Sequence, residues 1–291
     1  MTYAGVELGG TKCAVLVAKD PATVLEREFI PTTAPGETLA RIERTLLNWK
    51  ASHGFEALGI ASFGPIDVDR ESEAWGTILT TPKPGWTNVD IGARLQAAIG
   101  TPVAFDTDVN GAALAEMRWG SGRGLDDFAY ITVGTGVGVG LIVNGRPTRG
   151  FGHCELGHIR VAQYPGEHWF GSCPYHGDCV EGLASGSALK ARFGLRADAF
   201  APDDPVWDPV AWTLAQLCHA IVCAAAPRRI AIGGGVAAAQ PHLLGRIQSQ
   251  LVDSLGGFLE LPSDGAYIRA PQLGGDAGPL GAIALATNAR P

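Results

Sequence analysis

The sequence predicts an α/β protein built in two halves. Short apolar strands alternate with stretches of helical period through the first part of the chain. Each half opens with a strand running into a glycine cluster, at Gly9-Gly10 and again at Gly134–Gly138. The 291 residues, 46% of them hydrophobic, suffice for one large or two modest cores. That layout suits two lobes closing on a phosphate-bearing ligand.

The elements follow in order. "YAGVELGG" reads as a first strand and a glycine turn, and "TKCAVLVAK" as a second strand completing a hairpin. "GETLARIERTLLNWKASHG" has apolar residues at helical spacing and ends at Gly54. "ALGIASFGP" is a short buried strand, "NVDIGARLQAAIG" a helix ending at Gly100, and "TPVAFDTD" a strand. A helix begins at "GAALAEMRWG", which makes the order β-β-α-β-α-β-α. The second half starts with "FAYITVGTGVGVGLIVNGRPTRG", two strand lengths of alternating small and apolar residues followed by an Asn-Gly turn. Helices are expected at "GSALKARFG", "PVAWTLAQLCHAIVCAAAP" and "PHLLGRIQSQLVDSLGGFL", a strand at "RRIAIGGGV" and a terminal helix in "GGDAGPLGAIALATNA". There is no internal repeat of roughly 20–50 residues.

A net charge of −7 argues against a nucleic-acid or anionic-membrane surface, which needs a basic footprint. The N-terminus has no basic region, and Glu7 interrupts its apolar part, so no signal peptide is expected. The charge-free stretch from Ala129 to Gly145 is too short and too glycine-rich to span a membrane. A cytoplasmic protein with reduced or metal-bound cysteines is the expectation. Cys13, Cys218 and Cys223 read as core residues.

Five stretches carry chemistry. In "ELGGTK", Gly9 and Gly10 free backbone amides to point at an anion, Thr11 adds a hydroxyl and Lys12 a charge; an ordinary hairpin turn would read the same way. "VGTGVGVG" is not a dinucleotide fingerprint, because Val139 stands at the sixth position and no helix follows. It reads as a strand with one bare face beside which Thr135 can meet a phosphate, or as close strand packing. In "FDTDVNGAALAE", Asp106 and Asp108 end a strand where a helix begins. Asp108 is either a helix cap or a general base. In "SCPYHGDCVEG", Cys173, His176 and Cys179 supply three zinc-type ligands. A fourth can come from His153, Cys154, His158, His168 or Asp178. Glu155 and Glu181 flank this set. In "IAIGGGVA", Gly233 to Gly235 can line a nucleotide or cap a turn.

Taken together, these stretches resemble the ROK family of sugar kinases, and within it the fructokinase branch. "ELGGTK" is similar to the first phosphate motif, "DTDVNGAALAE" to the catalytic segment, "VGTGVGVGLIVNG" to the second phosphate motif, "HCELGH" and "CPYHGDCVEG" to the hexose and zinc motifs, and "IAIGGGV" to the adenosine loop. The resemblance covers nearly the whole chain in order. It implies an actin-like ATPase-domain (ribonuclease H-like) fold of two lobes. The smaller would span residues 1–110, rejoined by a terminal helix over 277–291. The larger would span 111–276 and carry a zinc segment at 153–181.

The resemblance also implies roles. Asp108 would be the catalytic base. Gly9, Gly10, Thr11, Lys12, Gly134, Thr135, Gly136, Gly233, Gly234, Gly235 and Val236 would bind ATP, with Mg²⁺. Asn110, Glu155, His158 and Glu181 would contact the hexose. His158, Cys173, His176 and Cys179 would hold a structural Zn²⁺. The implied reaction is ATP-dependent phosphorylation of D-fructose at its 6-hydroxyl by a homodimer. Alternatives are a kinase for mannose, glucose or an N-acetylhexosamine, or a non-catalytic sugar sensor; sensors of this family need a helix-turn-helix ahead of the first strand, which here begins by about Tyr3. Two departures favour the fructokinase branch. The cysteine motif is C-x-x-H-x-x-C, and "PKPGW" places Pro82 where glucokinases of the family often have Asn.

Overall fold

A computed structural model describes residues 1–289. It divides into two compact units. One holds Met1–Trp119, Pro147–His153 and the chain from Gly275 onward; the other holds Gly120–Arg146 and Cys154–Gly274.

In the first unit, β1 (Tyr3–Leu8) and β2 (Lys12–Ala18) form an antiparallel hairpin with Leu8 opposite Cys13. A strand absent from the sequence reading follows, β3 (Val24–Pro31), antiparallel to β2. Glu26, Arg27 and Glu28 mask its alternation, because it lies at the sheet edge, where charge on the solvent side costs little. Helix α1 (Pro35–His53) starts with proline, whose missing N–H is harmless in the first turn, and stops at Gly54. Strand β4 (Leu58–Ser62) comes next. Short strands β5 (Thr77–Ile78) and β6 (Val89–Asp90) pair with each other, so the following helix α2 (Gly92–Ile99) starts later than its sequence suggested. Strand β7 (Val103–Thr107) leads directly into α3 (Asp108–Trp119). The sheet order is β3-β2-β1-β4-β7, with β1, β4 and β7 parallel. Val6, Leu39, Ile42, Ile60, Trp86 and Leu95 fill its core.

The C-terminal helix, Ala277–Ala286, is buried at every position but Gly278 and packs on β1, β4 and α3. Residues 290 and 291 of the expected terminal helix lie outside the described residues. Missing side chains permit this packing. A Cβ at Gly59 would overlap the Ala282 carbonyl, and one at Gly281 would meet the Gly111 carbonyl carbon at 2.5 Å. Both neighbours are backbone and cannot swing away. Gly59→Ala is therefore expected to destabilise this unit by ~3 kcal/mol or more, read as a shifted denaturation midpoint. An unchanged midpoint would contradict the close packing.

The second unit repeats the sheet plan. Strands β8 (Phe128–Val133) and β9 (Val137–Val143) are antiparallel, and β10 (Arg146–Pro147) follows an Asn144-Gly145 turn with φ of 51° and 71°. Then come α4 (Val180–Ala184), α5 (Gly186–Phe193), α6 (Trp207–Ala225), β11 (Ile230–Gly233), α7 (Gly234–Ala239), α8 (Leu243–Leu255) and β12 (Ile268–Arg269). The order is β10-β9-β8-β11-β12, with β8, β11 and β12 parallel. Ile131, Val139, Trp207, Leu214, Ile232 and Leu251 lie in the core. Cys13 and Cys218 are buried as expected. Cys223 is exposed, because it falls on the outer face of α6, one residue past the inward-facing Ile221 and Val222. Among the described residues, no helix is long and apolar enough to cross a membrane.

Candidate functional site

Leu8, Ser62 and Thr107 stand in register across the three parallel strands of the first unit. The turn at Gly9–Lys12 and the start of α3 therefore leave the same carboxyl edge, where α/β sheets place ligands. The turn is tightly held. Gly9 N–H donates to Lys12 O at 3.2 Å, Thr32 Oγ1 to Gly9 O at 2.8 Å, and Thr32 N–H to Thr11 O at 3.0 Å. Gly10, Thr11 and Lys12 remain exposed.

Asp108 is the first residue of α3 and not a cap ahead of it. Its Oδ1 accepts the Val109 N–H at 2.9 Å. Removal from water pushes its carboxyl up to about 6, against the opposing pull of backbone amides. Glu7 is pushed up to about 7, by burial first and then by the charge of Asp108, with Lys12 and Arg27 opposing. Its carboxylate lies against Gly278 at the start of the C-terminal helix. Asn110 is buried. Its Nδ2 donates to Asp106 Oδ1 at 2.8 Å, and its N–H to Thr107 Oγ1 at 3.1 Å.

Asp106 has a side chain only 1% exposed and forms an ion pair with Arg149, whose Nη1 also donates to Val68 O at 3.4 Å. The sequence reading singled out Asp106 only as a strand end and gave Arg149 no role. The ion pair joins residues far apart in the chain, so no local spacing announces it.

In the second unit, Thr132 and Gly233 are paired across β8 and β11, and this sets Gly134–Gly136 beside Gly233–Val236. The first glycine stretch is a turn between strands, with Gly134 N–H donating to Gly136 O at 2.9 Å, and not a continuous strand. Gly186 N–H, at the start of α5, donates to Gly134 O at 2.7 Å, and Ser187 N–H to Thr135 O at 3.3 Å. Gly234 has φ of +87° and touches the Val133 backbone, so only glycine suits that position. Glu181 Oε2 accepts the Val137 N–H at 3.1 Å, which ties this expected hexose contact to the glycine turn. Glu155 is exposed, just ahead of the short turn Leu156–His158.

His158, Cys173, His176 and Cys179 converge, with ligand atoms all within 4.8 Å of one another. Cys173 Sγ lies 3.6 Å from His158 Nδ1 and 3.7 Å from His176 Nδ1, and Cys179 Sγ lies 3.6 Å from His158 Nδ1. A tetrahedral ion with Zn–S of about 2.3 Å and Zn–N of about 2.0–2.1 Å needs S···N separations of about 3.5–3.6 Å. The donor set thus has three S···N separations that match those of a tetrahedral zinc. A tight knuckle presents it: Gly177 N–H donates to Cys173 O at 2.9 Å, and the Gly182 N–H to Cys179 Sγ at 3.5 Å. Burial pushes the Cys179 thiol up to about 11, so binding a metal there displaces a proton. Of the other candidate ligands, His153 accepts the Ile66 N–H at 3.0 Å within the first unit, and Asp178 pairs with Arg160 at 2.9 Å.

Two sheets of the same plan, with glycine turns at their carboxyl edges, define an actin-like ATPase-domain fold of the sugar-kinase kind. The chain belongs to the ROK family, whose model matches residues 3–289. It is 39% identical to a fructokinase of Zymomonas mobilis, covering 98% of this chain and 96% of the relative. It is 38% identical to a fructokinase of Lactococcus lactis, covering 92% and 91%. Among solved structures, a ROK family glucokinase of Streptomyces griseus in complex with glucose and AMPPNP superposes with a TM-score of 0.79 at 28% identity, covering 99% of this chain and 100% of that one.

Proposed function

We propose that the chain transfers the γ-phosphoryl group of ATP to the 6-hydroxyl of D-fructose. The observation that carries the mechanism is Asp108, a carboxylate at the sheet's carboxyl edge, held only by backbone amides and raised to about 6. Near neutral pH it is ionised yet basic enough to take the hydroxyl proton as the oxygen attacks. Phosphoryl transfer asks little covalent work of a protein, so the rest is positioning and charge. Backbone amides of the turns at Gly9–Lys12, Gly134–Gly136 and Gly233–Val236 bind the nucleotide. Asn110, Glu155, His158 and Glu181 contact the sugar. Mg²⁺ carried by ATP supplies charge neutralisation when bound. Glu7 is the carboxylate suited to face it, since the nearby charge of Asp108 disfavours an ionised Glu7 and a cation would relieve that cost.

The four-ligand set His158, Cys173, His176 and Cys179 would hold a structural zinc, four protein ligands being the number such a site takes. It braces the segment bearing Glu155 and the helix bearing Glu181, and through Glu181 the turn at Val137. Fructose is the preferred hexose: the fructokinase relatives match over nearly the full length, and Pro82 removes an amide that a glucose site would use. A homodimer acting in the cytoplasm completes the reading.

ADP release across a panel of fructose, mannose, glucose and N-acetylhexosamines tests it. Fructose should give the highest kcat/KM. A higher value for another hexose would reassign the substrate, and binding without turnover on every sugar would favour a sensor.

A further inference from the structure

The "PKPGW" stretch also carries a cation. Its lysine lies on the candidate phosphate turn. Lys83 Nζ donates to the carbonyl oxygen of Gly10. Lys12, the cation of that turn by sequence, is turned elsewhere: its Nζ lies 4.5 Å from the centre of the half-exposed Phe29 ring, and its charge opposes that of Glu7.

Lys83 is held in place from behind. Trp86 N–H donates to Lys83 O at 3.2 Å, closing a turn with Pro84 at its second position and Gly85 (φ +79°) at its third. That is the composition a type II turn requires. Trp86 is wholly buried, packs edge-on to Phe63 at 5.7 Å, and donates from Nε1 to Thr33 O at 3.0 Å. The neighbouring Thr32 holds the phosphate turn itself, through Gly9 O and Thr11 O. One short stretch, Thr32-Thr33, therefore backs both the turn and the lysine, and fixes their register before any ligand arrives. An ammonium on a flexible stem, carried by an anchored turn beside exposed amides, is a site for a phosphate oxygen.

We infer that Lys83 is a further phosphate-contacting residue of the reaction. It leaves the Gly10 carbonyl to meet the phosphoryl group as it passes from ATP to the sugar, and holds it on the product. This rests on the phosphoryl-transfer reading above.

The test compares Lys83→Met and Lys83→Arg with the wild type. It uses steady-state kinetics and calorimetric binding of fructose and of fructose 6-phosphate. Lys83→Met should lose on the order of 10- to 100-fold in kcat/KM for ATP and in affinity for fructose 6-phosphate, while fructose affinity stays within about twofold. Lys83→Arg should recover most of both. A lysine that only braces the turn would lower the melting temperature and move both sugar affinities together, and that result would overturn the inference. So would unchanged kinetics and product affinity in Lys83→Met. If the wild type phosphorylates a different hexose, the fructose reading falls, and the same comparison with that hexose and its phosphate still decides the role of Lys83.

Discussion

Asp108→Asn is expected to keep hexose binding and to lower turnover by about 10²–10⁴-fold. The amide fills the same space and can still accept the Val109 N–H, but it cannot take a proton. The raised carboxyl gives this prediction a pH signature. The wild-type rate should fall below about pH 6, tenfold per unit, as the base becomes protonated. Stability should move the opposite way. A carboxyl held at about 6 in the fold, against 3.8 in the unfolded chain, gives the folded state the greater proton uptake between those values. The folded protein thus loses stability as pH rises through that window, and the deficit persists above it. Asp108→Asn removes the deficit. It should be more stable than wild type at pH 7, by ~1–2 kcal/mol once the partial solvent access of the carboxylate is allowed for, and only marginally more stable near pH 4. Near-normal turnover in the variant would remove Asp108 from its role. A stability gain that is the same at both pH values would reject the stated cause of the raised carboxyl.

Loss of zinc has the second large effect. Elemental analysis should find about one zinc per chain. Cys179→Ser, or exhaustive chelation, should abolish it and destabilise the second unit on the order of 5 kcal/mol, a fraction of the ~10–16 kcal/mol that structural zinc gives small domains. Hexose affinity should fall with it, because the knuckle leads within two residues to Glu181, whose carboxylate is bonded to Val137 N–H. A chain that binds no zinc and melts normally would contradict the structural role. So would a metal with an exchangeable water on its open side.

Much of this was legible in the sequence, for local reasons. The hairpin around Gly9-Gly10, the Asn144-Gly145 turn and the helices ending at Gly54 and Gly100 are each written in a few adjacent residues. Cys173, His176 and Cys179 were visible because their spacing is short; His158 was chosen among five candidates by resemblance, and its position is set by the turn Leu156–His158. What escaped was carried by tertiary context. β3 is an edge strand whose charges hide its period. The glycine alternation over 134–138 spans a turn and a strand, which periodicity alone cannot divide. Arg149 and Lys83 act on partners 43 and 73 positions away, and nothing beside either residue in the chain indicates those contacts. The Pro84-Gly85 pair went unread as a turn, and nothing local shows that the turn delivers Lys83 to Gly10.

The most direct test of the account is the identity of the product. ³¹P NMR of a reaction containing the protein, Mg²⁺, ATP and D-fructose should show ADP and a single sugar phosphate whose phosphorus couples to the C6 protons of fructose. Phosphate on C1, or ADP released with inorganic phosphate and no sugar ester, would contradict it.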